Sequence, residues 1–233
     1  MLHRILMRLT KLLPPHARYN ARARLAIENG DIDPELLHLS RYLPADRRRL
    51  GLDVGANCGV TSYAIARALN KVIAFEPNPA VYDTWSAGAP LNIDLRNLAV
   101  SNQPGEVKLS IPILSGKPQT GWASLGNPLA SYDKLQTVVV NAVTLDGFCS
   151  DLGITDVDFI KIDVEGYELA VLEGAKRLLE ESRPWMVVEV DDDKRPVLRD
   201  FLTAIGYRIY ESTEASVLKI HSISKQNVVC EPT

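Results

Sequence analysis

Two carboxylates, Asp53 and Glu76, each close an apolar run, and a pair of glycines follows the first of them. In "LGLDVGANCGVTSYAIA" (50–66) the run ends on Asp53, breaks through Gly55 and Gly59, and resumes at helical spacing. Glu76 sits near the end of "KVIAFEP" (71–77). A strand end, a glycine turn and a new helix together make a small-molecule site. Glycine lets a ligand approach where a Cβ would block it, and the helix start offers unpaired N–H groups. The carboxylates then choose the ligand.

A dinucleotide needs G-x-G-x-x-G so that its pyrophosphate can rest on bare backbone. Here Asn57 and Val60 stand where that fingerprint wants glycine, and Asp53 would set a negative charge beside a negative phosphate. A cationic, phosphate-free ligand fits better. S-adenosylmethionine carries an ammonium and a sulfonium that Asp53 could stabilise, and Glu76 could accept both ribose hydroxyls. Each carboxylate alone has a plainer explanation, a helix-capping Asp and a surface Glu. The pair in register on adjacent strands is what favours a nucleoside site.

These residues need a frame, and apolar runs alternate with helical patterns from residue 49 onward, which signals βαβ units and a mostly parallel sheet. The pattern predicts strands at 49–54, 71–77, 93–101, 157–163 and 185–190, with helices at 59–69, 79–87, 166–183 and 194–205. Segments 105–113 and 136–144 alternate with period two and predict added antiparallel strands, while "YRIYES" (207–212) and "SVLKIHSIS" (216–224) close the sheet. Residues 114–135, rich in Gly, Pro and Ser, predict a long surface loop and a candidate lid.

The chain has 233 residues, 46 % apolar and 24 % charged, which suits one soluble α/β body. No run approaches 18 apolar residues, and Arg4, Arg8 and Lys11 interrupt the first thirteen, which argues against a membrane span or a cleaved signal peptide. Three scattered cysteines, Cys58, Cys149 and Cys230, suit a reducing, cytoplasmic setting and neither a disulfide framework nor a zinc site. Residues 1–49 hold ten Lys/Arg against five Asp/Glu, so the remainder carries −8 of the net −3. An acidic body does not suit nucleic acid. The basic segment reads as a helical extension, residues 1–48, packed on a cofactor-binding domain of 49–233, in preference to a membrane-surface anchor; an oligomer arm is a further use for it.

At this point the sequence resembles FkbM-type S-adenosylmethionine-dependent methyltransferases. "DVGANCG" (53–59), "AFEPNP" (74–79), "NLAVSN" (97–102), "GWASL" (121–125), "TLD" (144–146), "DFIKIDVEGYELAVLEGA" (158–175) and "RPWMVVEV" (183–190) occur in that family's order. The resemblance implies the class I, seven-stranded Rossmann-like sheet with helices on both faces. It also implies methylation of a hydroxyl on a sugar, glycan or natural product. Carried over by position, Asp53, Gly55, Ala56, Asn57 and Gly59 would surround the methionine moiety. Glu76 would hold the ribose with Asn78 beside it, and Asn97 to Ala99 would meet the adenine edge. Trp122 and Ser124 would close the lid.

Methyl transfer to an alcohol benefits from a base. The histidines are His3, His16, His38 and His221, and none falls among the strand-end motifs. Carboxylates are better placed: Lys161 and Asp163 share a side of the fourth strand by period-two alternation, Glu165 follows in the turn, and Glu189 ends the fifth strand. Asp163 is the first choice for base or acceptor-orienting group. Lys161 could simply neutralise it, and Glu168 could cap the next helix. Asp163, Glu165 and Glu189 show no fixed spacing that demands a metal, so none is expected. An N-methyltransferase on the same fold, a nucleotide- or NAD-linked enzyme with a degenerate turn, and a non-catalytic scaffold are the competing readings.

Overall fold

The computed structural model describes residues 9–30, 32–126, 132–220 and 222–233. Its first helices are α1 (Pro15–Asn29), α2 (Pro34–Leu37) and α3 (Leu39–Tyr42). α1 starts on a proline and stops at Gly30, whose φ of 71° is the left-handed cap that ends many helices. Then come β1 (Leu50–Val54), α4 (Val60–Ile65), β2 (Lys71–Phe75), α5 (Pro79–Trp85) and β3 (Ile93–Arg96). β4 (Ala99–Val100), β5 (Gly105–Leu114), β6 (Lys117–Pro118) and β7 (Lys134–Val143) follow, then α6 (Leu145–Asp151) and β8 (Phe159–Ile162). The chain closes with α7 (Glu168–Glu173), α8 (Lys176–Glu181), β9 (Trp185–Glu189), α9 (Arg195–Ala204), β10 (Tyr207–Tyr210) and β11 (Asn227–Pro232).

Seven strands form the central sheet in the order β10-β11-β9-β8-β1-β2-β3. The five from β9 to β3 are parallel, and β11 runs antiparallel to both its neighbours. After β3 the chain returns to the far side of β1, so strand order reverses between β1 and β8. A crevice opens there beyond the carboxyl ends. Side chains alternate across the sheet. Leu52, Val54, Ile73, Phe75, Ile160 and Ile162 pack under α6 to α9, whereas Val72, Ala74, Phe159 and Val187 pack beneath the N-terminal helices. Asp53 and Lys161, directly paired across β1 and β8, fall on the second face.

The structure corrects several boundaries. Expected strand 93–101 is two strands: Asn97 Nδ2 donates to the carbonyls of Glu76 and Pro77, turning the chain out of the central sheet, and Ala99–Val100 pairs with β7 instead. β4, β7, β5 and β6 make a second, four-stranded sheet, which holds the two expected antiparallel strands. Segment 216–224 is not a strand. Glu211 and Glu214 cap a 3₁₀ turn over Ser212–Leu218 reciprocally, and the place between β10 and β9 goes to β11. The helix expected at 166–183 breaks at Gly174, a poor helix former, into α7 and α8. α6, capped by the Thr144 hydroxyl accepting from Gly147 N, is an added helix. Of the expected loop 114–135, the structure shows β6 and a 3₁₀ turn at Thr120–Trp122, and residues 127–131 lie outside the described residues. Also outside them are His3, His221, Arg4 and Arg8.

Leu36, Leu39 and Leu43 from the N-terminal segment are buried in the same cluster as Val187 and Val229 of the sheet. Glu35 reaches further still, its carboxylate accepting from Asn227 Nδ2 and Ser224 N. Leu39→Ala should therefore destabilise the whole protein by about 2–5 kcal/mol, as a cavity in a packed core does. Urea unfolding followed at the central sheet checks this. A loosely attached extension would leave the midpoint unchanged.

Candidate active site

The carboxyl end of β1 turns sharply, and glycine is what permits the turn. Gly55 has φ 86°, and a Cβ there would stand 1.7 Å from the Asp163 carbonyl oxygen. Gly59 has φ 73°, and a Cβ would stand 2.2 Å from the Tyr19 hydroxyl, which donates to the Gly59 carbonyl. The turn is thus pinned between β8 and the N-terminal helix α1. Glu76 accepts two backbone hydrogen bonds, one from the turn and one from its own segment: Asn57 N donates to Oε2 at 2.7 Å, and Asn78 N donates to Oε1 at 2.8 Å. Asn78 also caps α5, its Oδ1 accepting from Ala80 N. Each Glu76 oxygen keeps a lone pair for a further donor.

A cleft open to solvent, with about 580 Å³ of empty space including that opening, lies over these strand ends. Of the expected site residues, Gly55, Asn57, Glu76, Ala99, Asp163 and Glu165 line it. The others do not. Ala56 is buried in the core, Gly59 is beneath Tyr19, and Asn78 and Asn97 brace the Glu76 segment. Asp53 is 1 % exposed and lies behind the cleft, where its Oδ2 accepts from the Thr61 and Ser62 hydroxyls. Its Oδ1 is buried with no hydrogen-bond partner. Lys161 is equally buried, and Glu189 lies behind it at the end of β9. His38 lies between α2 and α3 and does not line the cleft.

Residues the carboxylate and glycine pattern did not single out complete the cleft: Pro77, Leu98, Thr120, Gly121 and Leu125 among them. The motif "GWASL" signalled the last group, but alternation there selects its neighbours. Trp122 is 40 % exposed and does not line the cleft, while Ser124 is buried, its hydroxyl donating to the Glu165 carbonyl at 2.7 Å.

Electrostatics divide the carboxylates. Lys161 Nζ lies 3.1 Å from Asp163 Oδ2. Burial alone would push the ammonium down, but Asp163, Glu189 and Asp53 outweigh it and hold it above its ordinary value. Burial pushes Glu76 up to about 7, against the two N–H groups that hold it. Glu165 rises to about 7, by burial first and then by the charges of Asp163, Glu168 and Asp191. Glu189 rises to about 8 through burial and Asp163, with Lys161 opposing. Glu165 has φ 51°, a left-handed conformation unusual for glutamate, and its carboxylate has no hydrogen-bond or ion-pair partner among the described residues. Among those residues no three His, Cys, Asp or Glu side chains converge on a metal position. No helix there is long and apolar enough to cross a membrane.

A doubly wound sheet with a glycine turn at its switch point and an acidic group on the next strand defines the class I, Rossmann-like methyltransferase architecture. Residues 53–209 match the methyltransferase FkbM domain, and the chain belongs to that family. A hexuronic acid methyltransferase, AglP, of Haloferax volcanii is 28 % identical over 142 residues, covering 59 % of this chain and 54 % of its own length. A 2-O-methyltransferase, NoeI, of Sinorhizobium fredii is 27 % identical over 145 residues, covering 57 % of this chain and 59 % of its own. The chain therefore spans little more than half of either relative. The crystal structure of an FkbM methyltransferase from Methylobacillus flagellatus superimposes with a TM-score of 0.52 at 15 % identity, covering 97 % of this chain and 57 % of that one. It shares the fold.

The raised carboxylates fix how stability depends on pH. A carboxyl group held above its ordinary 4.5 contributes stability fully below that value and loses it as pH rises through its folded value of about 7. Melting of the ligand-free protein should fall between pH 5 and 8 as a result. Glu165→Gln should flatten that fall and raise the melting temperature more at pH 8 than at pH 5. Equal gains at both ends would assign Glu165 an ordinary pKa.

Proposed function

We propose that this chain is an S-adenosylmethionine-dependent methyltransferase that methylates a hydroxyl group of a sugar, glycan or natural product. One observation carries the reading. The cleft lining holds three carboxylates, Glu76, Asp163 and Glu165, and no Lys or Arg among the described residues, which suits a cationic nucleoside without phosphates. The two relatives, named for a hexuronic acid substrate and for 2-O-methylation, support a sugar hydroxyl as acceptor.

The residues fit that cofactor. Glu76 would accept the ribose hydroxyls on its remaining lone pairs, with Asn57 and Asn78 holding it in place. Pro77, Leu98 and Ala99 offer apolar surface for a flat base. The bare backbone at Gly55 would border the methionine portion, and the unpartnered Asp53 Oδ1 behind the turn contributes negative potential there. When bound, the cofactor supplies a methyl group on a sulfonium, transferred to oxygen by in-line displacement with loss of one proton.

Two carboxylates divide the acceptor's side. Asp163, anchored by Lys161, would accept a hydrogen bond from a neighbouring polar group of the acceptor and so orient the reactive hydroxyl toward Glu165. Glu165, with no competing partner and a pKa near the working pH, takes the proton, a role worth about 10²–10⁴-fold. Leu109, Thr120 and Leu125 close over the cleft and exclude water.

Calorimetry with S-adenosylhomocysteine should give one site per chain, and NADH should not bind. Glu76→Ala should weaken the nucleoside by about 1.5–3 kcal/mol. NADH binding with no response to the adenosyl compound would reject the assignment. With an acceptor found by labelled-methyl screening, the rate should rise with pH through about 7. Glu165→Gln should lower turnover by about 10²-fold or more and abolish that rise. If Asp163→Asn does so instead, with Glu165→Gln near normal, Asp163 is the base.

A further inference from the structure

An open groove of about 1450 Å³ runs between α1 and α5, on the outer side of the glycine turn. α1 contributes Arg18, Tyr19, Arg22, Ala23 and Ala26, one helix face at spacings of one, three, one and three, and α5 lies opposite. The inner wall is aromatic: Tyr19 stacks on Trp85 with ring centroids 4.9 Å apart. Cys58 and Val60 form the floor, and Asn57 and Thr120 face both this groove and the cofactor cleft. The two cavities are therefore neighbours across two side chains.

The groove's polar equipment is mainly cationic. Arg22 donates from Nε to Thr10 Oγ1 at 3.2 Å and has no carboxylate in ion-pair range among the described residues. Arg22 and Cys58 line the same groove. Arg18 adds a second guanidinium to the lining, and the exposed Asp83 is its one acidic side chain. An apolar trough bordered by the Arg22 guanidinium matches a molecule that is apolar along its body and acidic at one point.

We propose that this groove binds the distal part of the acceptor, an apolar moiety bearing a carboxylate or phosphate, with the acid group on Arg22 and the apolar body against Tyr19 and Trp85. The assignment to an acceptor rests on the methyltransferase reading. The reactive hydroxyl then reaches past Asn57 and Thr120 into the cleft. An acceptor built this way is recognised at two places, one for chemistry and one for identity, and the N-terminal helix is the specificity element.

The protein carries its own reporter. Cys58 is exposed on the groove floor, whereas Cys149 and Cys230 are buried. Burial within the groove walls raises the Cys58 thiol's pKa, so alkylation with iodoacetamide is followed at mildly alkaline pH by intact mass. Octyl phosphate or octanoate should protect Cys58 saturably, the stronger of the two identifying the acid. Octanol should bind about tenfold more weakly, the scale of one charge-assisted hydrogen bond, and inorganic phosphate, which lacks the apolar body, more weakly still. Arg22→Gln should bring the octyl anions down to octanol's level, and Thr84→Trp, an exposed site on the α5 wall, should fill the groove and abolish protection by all of them. Equal protection by octanol and the anions, or none by any probe while S-adenosylhomocysteine still binds, overturns the groove. Protection without S-adenosylhomocysteine binding overturns the methyltransferase reading, and the acceptor assignment with it.

Discussion

A lysine ammonium buried at the centre of a sheet face is the constraint around which the site is arranged. Lys161 is 1 % exposed, on the face covered by the N-terminal helices, and an ion there cannot persist without opposite charge. Three carboxylates answer it. Asp53 stands beside it in register, Asp163 lies two residues on, and Glu189 ends the neighbouring strand. Burial and then the charge of Asp163 raise both Glu189, to about 8, and Glu165, to about 7. The same electrostatic unit thus holds Asp163 fixed and leaves the outermost carboxylate able to gain and lose a proton near neutrality.

The N-terminal segment belongs to this arrangement. Tyr19 pins the glycine turn from above, α2 and α3 seal the apolar face that buries Lys161, and Glu35 ties the segment to the sheet's antiparallel strand. A turn with two left-handed glycines is entropically expensive to fix. Here it is fixed from both sides, by the Asp163 backbone against Gly55 and by Tyr19 against Gly59.

Local signals carried most of what could be read before the coordinates. "LGLDVGANCG" and "KVIAFEP" declare strand, turn and carboxylate within a few residues; both strands stand where they were expected, and Glu76 lines the cleft at their ends. Asp53 shows the limit. Its position at the strand end was legible, but whether its side chain faces the cleft or the helix behind it depends on strand twist and on Thr61 and Ser62. Strand 216–224 failed because alternation without a partner is not pairing; Ser216–Leu218 instead ends a 3₁₀ turn that a capping box begins. Thr120, Gly121 and Leu125 reach the cleft only because β5 and β7 fold back as a second sheet, a non-local fact. Arg22 in the groove is of the same kind, since nothing in residues 15–29 says which helix they will lie against.

Glu35 grips Asn227 across 192 positions of chain. At roughly 5–20 residues per second of synthesis, the strand that receives the N-terminal segment emerges roughly 10–40 s after Glu35 has left the ribosome. For that interval Leu36, Leu39 and Leu43 have no completed sheet to cover, and the buried carboxylate has no donor. Folding during synthesis is therefore completed from the two ends of this sequence at once, whereas refolding of the finished chain has no such wait.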